Sequence, residues 1–154
     1  MNKPMSAAIA SARAGIRHGH GGPFGACIVW RGKIVAAAHN TVLRDRDPTC
    51  HAEMNAIRQA CRKLRTHDLS GCVIYTTAEP CPMCLGAIYW ARLSGLRIGV
   101  PARVAAAAGF ADAWILEELK RPAARRRIPT RAGISAAACR KVFREWTRLN
   151  GKLY

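Results

Sequence analysis

Asp47-Pro48-Thr49-Cys50-His51-Ala52-Glu53 and Glu79-Pro80-Cys81-Pro82-Met83-Cys84 are the two stretches from which the rest of this chain can be read. Between them they supply one imidazole, two thiols at i and i+3, and a carboxylate two residues past the imidazole. On the first turn of a helix, positions i and i+3 face the same way, so the Cys81 and Cys84 sulfurs can reach one point. A helix N-terminus also favours thiolate over thiol, because anions are stabilised there. His51 opens the preceding helix, so two helix starts can converge on one ion at a sheet edge. Three protein ligands leave the fourth corner of a tetrahedral Zn²⁺ to water, the pattern of a catalytic centre. The same Cys-x-x-Cys alone would suit a redox pair or half of a structural zinc knuckle. A four-cysteine site would need distant cysteines, and none stands at a recognisable spacing. On a regular helix Glu53 points well away from His51, which puts it beside the ion rather than on it. There it can take a proton from water, whose pKa zinc lowers toward about 7, and deliver it to a leaving amine.

The 154 residues are enough for one domain with a real core, mostly aliphatic given the 6% aromatic content. No apolar run approaches the roughly 20 residues that span a bilayer. Arg13 and Arg17 interrupt the N-terminal apolar stretch, so it does not read as a signal peptide, and the cytoplasm is the expected compartment. Seven cysteines, two of them in the motif, favour metal over disulfides. Cys27, Cys61, Cys72 and Cys139 fall in expected strands or helices and read as buried small hydrophobes. Cys50 abuts His51, and adjacent residues rarely bind one metal, so it is left out of the ligand set. The charge is extreme. Twenty-five Lys and Arg against nine Asp and Glu give +16. Eleven of the basic residues lie in 120–154 against Glu145 alone. Such a block suits a polyanion, although a solvated basic face is the favoured reading.

Along the chain, Lys3 to about Arg17 reads as an amphipathic helix ended by glycines. Phe24 to Trp30 and Lys33 to His39 read as a β-hairpin turning at Arg31-Gly32. His51 to Leu64 has helical spacing, Cys72 to Thr76 is a strand, and Cys81 to Ala91 a helix begun by prolines. Leu96 to Val100 is a further strand. Arg103 to Leu119 reads as a loop and then a helix, Ile128 as the start of a last short strand, and Ala136 to Leu149 as a closing helix. Strands alternating with helices imply an α/β fold of three α/β/α layers, with a central mixed sheet of about five strands.

Beyond the ligands, the chain resembles bacterial guanine deaminases of the cytidine-deaminase-like superfamily. His-x-Glu followed by Pro-Cys-x-x-Cys is shared by all relatives in that superfamily. More specific are Gly21-Gly22-Pro23-Phe24-Gly25-Ala26, Leu85-Gly86-Ala87-Ile88-Tyr89-Trp90-Ala91-Arg92, Ala108-Gly109-Phe110 with Asp112, Arg127-Ile128-Pro129, and Lys152-Leu153-Tyr154. Two departures are Thr76-Thr77-Ala78 before the thiols and Ala111 in place of an acid. The resemblance implies one Zn²⁺ per subunit on His51, Cys81 and Cys84, with Glu53 catalytic. It implies hydrolysis of a free purine base, guanine, to xanthine and ammonia. It implies substrate contacts from Phe24, Asn40, Ala52, Trp90, Asp112 and Tyr154. Asn40 would hydrogen-bond the purine, Asp112 would accept from its N–H groups, and Phe24 and Trp90 would wall the flat ring. It also implies a homodimer that exchanges the segment from about 120 to 154, so that Tyr154 closes the partner's pocket. His18, His20, His39 and His67 read as surface or satisfied structural histidines.

The alternative enzyme is a tRNA-specific adenosine deaminase, which shares the zinc core and would explain the charge through phosphate contacts. Pro23-Phe24-Gly25, Tyr89-Trp90 and Tyr154 favour a free base. Deaminases of another nucleobase, nucleoside or triazine fill the remainder. A non-catalytic zinc or nucleic-acid-binding module would have no use for Glu53.

Overall fold

The computed structural model describes residues 2–154, which divide into two units, one ending at Ala113 and the other running from Trp114 to Tyr154. In the first, helix α1 (Lys3–Arg17) starts at Asn2, whose side chain accepts from Met5 N at 3.2 Å. Strands β1 (Gly25–Trp30) and β2 (Lys33–His39) form the expected hairpin. Its two-residue turn has Arg31 at φ 48° and Gly32 at φ 75°. Positive φ at both turn positions matches the right-handed twist of the flanking strands. A short helix α2 (Val42–Asp45) follows, then α3 (Ala52–Leu64), β3 (Cys72–Ala78), α4 (Pro82–Trp90), β4 (Gly95–Val100) and α5 (Ala102–Ala107).

The sheet has four strands in the order β2-β1-β3-β4, antiparallel except for the parallel β3–β4 pair. The expected fifth strand at Ile128 does not form. Ile128 is exposed, and Pro129 beside it has no N–H to give a ladder. The segment expected as a loop then a helix is instead two helices, α5 and α6 (Ala113–Lys120), broken at Gly109. Ala is the strongest helix former, so the 105–107 alanines extend a helix, and Gly109 at φ 94° ends it.

Helices cover both faces of the sheet, and small residues let them approach. On one face Ala26, Ile28, Ala36, Ala38, Cys72 and Ile74 meet Ala52, Ala56 and Ala60 of α3 and Ile88 of α4. On the other face α1 lies directly on β1: a Cβ on Gly25 would fall 2.0 Å from Ala8 O. Among the described residues, no helix is long and apolar enough to cross a membrane.

In the second unit α6 leads through a 3₁₀ turn (Ala123–Arg125) to α7 (Ala136–Arg148). Glu118 gathers this stretch, pairing with Arg121 at 2.8 Å and accepting from Arg127 N at 2.7 Å. Cys139, expected to be buried, is exposed on α7, whereas Cys27 and Cys72 are buried and Cys61 half-buried.

Candidate metal centre and cleft

Three strands end at one side of the sheet, where β1 begins. The register pairs Gly25 with His39, Ala26 with Thr76 and Ala78 with Val100, so the carboxyl ends of β2, β3 and β4 lie together. Asn40, Glu79-Pro80-Cys81 and Pro101-Ala102 leave from those ends. In open α/β sheets this is where ligands bind.

The starts of α3 and α4 meet at the same place. His51 is the N-cap of α3 and Cys81 the N-cap of α4, both extended (φ −68°, ψ 159° and φ −64°, ψ 167°). Neither side chain is spent on capping its own helix, so both are free to turn toward a common point. His51 Nδ1 lies 3.6 Å from Cys81 Sγ and 3.5 Å from Cys84 Sγ. All three donor atoms fall within 4.8 Å of one another.

These distances test the zinc expectation. Zn–S of about 2.3 Å and Zn–N of about 2.0–2.1 Å at tetrahedral angles set N···S near 3.6 Å. The two spacings here match that value within about 0.1 Å. Proton occupancy agrees. The Cys84 thiol donating to Cys81, helped by His51, pulls the Cys81 pKa down to about 4. That same hydrogen bond, with burial and the nearby Glu53 carboxylate, pushes Cys84 far above its usual value. A divalent cation between the two sulfurs would favour the thiolate form of both. The hydrogen bond to Cys81 likewise raises the His51 pKa, against the effect of its burial. The residues present fit Zn²⁺.

Glu53 is buried at the second position of α3, and burial raises its carboxyl above the usual range. Together with His51 and Cys81 it opens into a cleft of about 490 Å³. Phe24, Asn40 and Asp112 line the cleft as well. Asn40 Oδ1 accepts from Gly22 N and Val42 N, both at 3.2 Å. Its carbonyl is thus engaged by the chain, and its NH₂ is the group left for a ligand.

Other expected contacts lie elsewhere. Ala52 does not line the cleft: it is wholly buried under the sheet, because the first residue of α3 faces the core. Trp90 is also outside the lining, three-quarters exposed at the far end of α4. Tyr154 belongs to the 114–154 unit and is exposed there. Among the lining residues given no role by the sequence, Phe110 and Glu79 make specific contacts. Phe110 packs edge-on against Phe24, with ring centroids 4.9 Å apart at 84°. Glu79 Oε2 accepts from Ala102 N at 2.9 Å and ties α5 to the thiol loop. Adjacency to Pro80-Cys81 was a signal for Glu79; nothing local marked Phe110 as a partner of Phe24.

Residues 1–100 match the family model of the cytidine and deoxycytidylate deaminase zinc-binding region. The chain is 48% identical to the guanine deaminase of Bacillus subtilis over 81% of its own length and 80% of that protein. The crystal structure of guanine deaminase from Bacillus subtilis superposes with a TM-score of 0.92 at 41% identity, covering 100% of this chain and 99% of the other. The tRNA-specific adenosine deaminase of Aquifex aeolicus is 52% identical, over 46% of this chain and 47% of that protein.

Proposed function

Because this chain belongs to the cytidine and deoxycytidylate deaminase family, we propose that it hydrolyses the exocyclic amine of guanine, releasing xanthine and ammonia. The observation that carries the reading is the extent of the likeness. The structural match to guanine deaminase runs through both units, residues 114–154 included, at a TM-score of 0.92, whereas a tRNA:A34 deaminase structure matches 66% of the chain at a TM-score of 0.63.

His51, Cys81 and Cys84 would hold Zn²⁺, which when bound supplies Lewis acidity and makes water a nucleophile near neutral pH. Asn40 donates from its NH₂ to an acceptor on the purine. Phe24, steadied by Phe110, offers a ring face to the base, since offset and edge-on aromatic contacts are both favourable. Asp112 accepts from the N–H groups that guanine presents and adenine lacks. Glu53 takes a proton as water adds to the C–NH₂ carbon, then returns one to the nitrogen so that ammonia leaves. Its burial keeps bulk water from competing for that proton.

The proposed assembly is a homodimer that exchanges the segment from about 120 to 154. Val142, Phe143 and Trp146 of α7, Leu149 just after it, and Tyr89 and Trp90 of α4 are large apolar side chains left in the open. Exposed apolar surface of that kind marks protein contacts. Tyr154 then closes the partner's cleft. Seven free cysteines suit a reducing compartment, hence the cytoplasm.

Ammonia release from guanine, adenine, cytosine, guanosine, ammeline and an anticodon stem-loop tests the substrate. Guanine is expected to give the highest kcat/KM; a stem-loop that exceeds it, with turnover falling steeply as salt rises, would transfer the reading to tRNA. Deleting Tyr154 is expected to lower kcat/KM for guanine by about tenfold or more while Tm shifts by less than about 2 °C, as for loss of one transition-state contact at a surface terminus. A fully active truncated enzyme would remove the tail from the pocket.

A further inference from the structure

Three histidines that the deamination chemistry does not use stand in a row behind one lip of the cleft. Ser11 Oγ on α1 lies 3.1 Å from His39 Nδ1, and His39 Nε2 lies 3.0 Å from His20 Nδ1. The His20 and His39 rings stack with centroids 5.2 Å apart, and His18 tilts against His20 at 5.4 Å. Gly15 makes the room, since a Cβ there would sit 2.5 Å from His39 Cδ2.

This row is built into the backbone of the cleft. His20 O accepts from both Leu43 N and Arg44 N at 3.1 Å, and His39 O accepts from Asn55 Nδ2 at 3.0 Å. The residues that follow His20 and His39, namely Gly21, Gly22 and Asn40, line the cleft. Gly22 N donates to Asn40 Oδ1. The His20–His39 hydrogen bond and the Gly22–Asn40 hydrogen bond therefore join the same two segments, one or two residues apart.

A neutral imidazole has one N–H and one acceptor nitrogen. The chain from Ser11 through His39 to His20 closes with one proton per contact, in either direction. One added proton is tolerated, because a charged ring can still donate to its neighbour's lone pair. A second sets N–H against N–H and one cation beside another. Around His39 the other titratable and charged groups are His20, Arg44, His18 and Asp45. Burial, reinforced by the first three and opposed by Asp45, holds the His39 pKa below the usual histidine value. Asp45 is itself engaged by Arg44 and by the Thr41 hydroxyl.

On the guanine reading of the cleft, we propose that Ser11, His39 and His20 form a hydrogen-bonded relay that positions the Gly22–Asn40 lip, and that charging both histidines loosens the lip and weakens purine binding at acid pH. His20 and His39 are positioning residues that act through Asn40. Because His39 ionises less readily in the folded chain, its contribution to stability is complete above about pH 6.5 and is lost as pH falls below that value.

The test uses the zinc-loaded full-length protein. KM for guanine is expected to rise about fivefold between about pH 7.5 and 5.5, the loss of one neutral hydrogen bond. His20→Gln and His39→Gln keep a polar side chain that cannot charge, so KM in each is expected to be the same at both pH values. Their kcat is expected to follow the wild-type pH profile. A flat wild-type KM, or a rise that both variants retain, overturns the relay. NMR hydrogen exchange reads the lip without substrate: the protection factor of the Gly22 amide is expected to fall over the same range in the wild type alone. Falling protection without guanine turnover would sink the guanine reading and keep the relay. Constant protection would sink the relay whatever the substrate.

Discussion

Glu53→Gln is expected to lower kcat for guanine by about 10³-fold or more with zinc content unchanged, the scale of a lost general acid–base. Gln preserves the size of the side chain and one carbonyl acceptor, so the buried space at the start of α3 stays filled. What disappears is the ability to accept a proton and hand it on, which hydrolysis of a C–NH₂ bond requires twice in opposite directions. Three carboxylates line the cleft, and they differ in what they are free to do. Glu79 is committed to the Ala102 amide. Asp112 is only half-buried, and its charge acts on His51 from the cleft lining. Glu53 is buried beside the His51 and Cys81 donors, with its carboxyl raised toward protonation by desolvation. Ammonia release at saturating guanine, with elemental analysis of the same sample, decides the matter. A kcat within about tenfold of wild type would remove Glu53 from the proton path, since a general acid–base is worth at least about 10². Loss of zinc together with activity would make it a ligand instead.

The parts of this molecule legible in its sequence are those set by local rules. Asn2 and Pro4 start α1, two positive-φ positions turn the hairpin at Arg31-Gly32, and the 3.6-residue period carries α3. The metal centre was legible for the same reason: Cys81 and Cys84 share one helical turn, and His51 needs only a second helix start brought alongside. Periodicity failed where an outcome depends on a neighbour. Ile128 has strand chemistry, but a strand needs a partner edge, and none pairs with it. Ala52 and Trp90 sit on motif helices, yet whether they face the cleft, the core or the outside depends on how the sheet lies against those helices. Ser11, His20 and His39 come from α1, a loop and the end of β2, so no local spacing announces their hydrogen bonds. Phe110 meets Phe24 across 86 residues of chain for the same reason.

Cys84→Ala is expected to leave less than about a tenth of an equivalent of zinc and no measurable turnover, because a two-donor site loses the chelation that structural and catalytic zinc centres depend on. Cys84 is the wholly buried member of the set, on the first turn of α4 under the sheet edge. The other nearby thiol is no substitute. Cys50 is buried but bonded by Arg58 at 3.7 Å, outside the donor cluster. Glu53 is the one nearby oxygen donor, and its recruitment would rescue metal at the expense of the proton path. That possibility makes zinc content and turnover separate readouts. Zinc retained with activity lost would mean Glu53 had moved onto the metal; zinc and activity both retained would refute the ligand assignment. Cys84→Ser keeps the volume and a weak oxygen donor, so its Tm should exceed that of the Ala variant when both are metal-free. If both variants melt at the wild-type temperature, zinc contributes nothing to folding: a bound ion that prefers the native state adds RT ln(1 + [L]/Kd), and its loss must lower Tm.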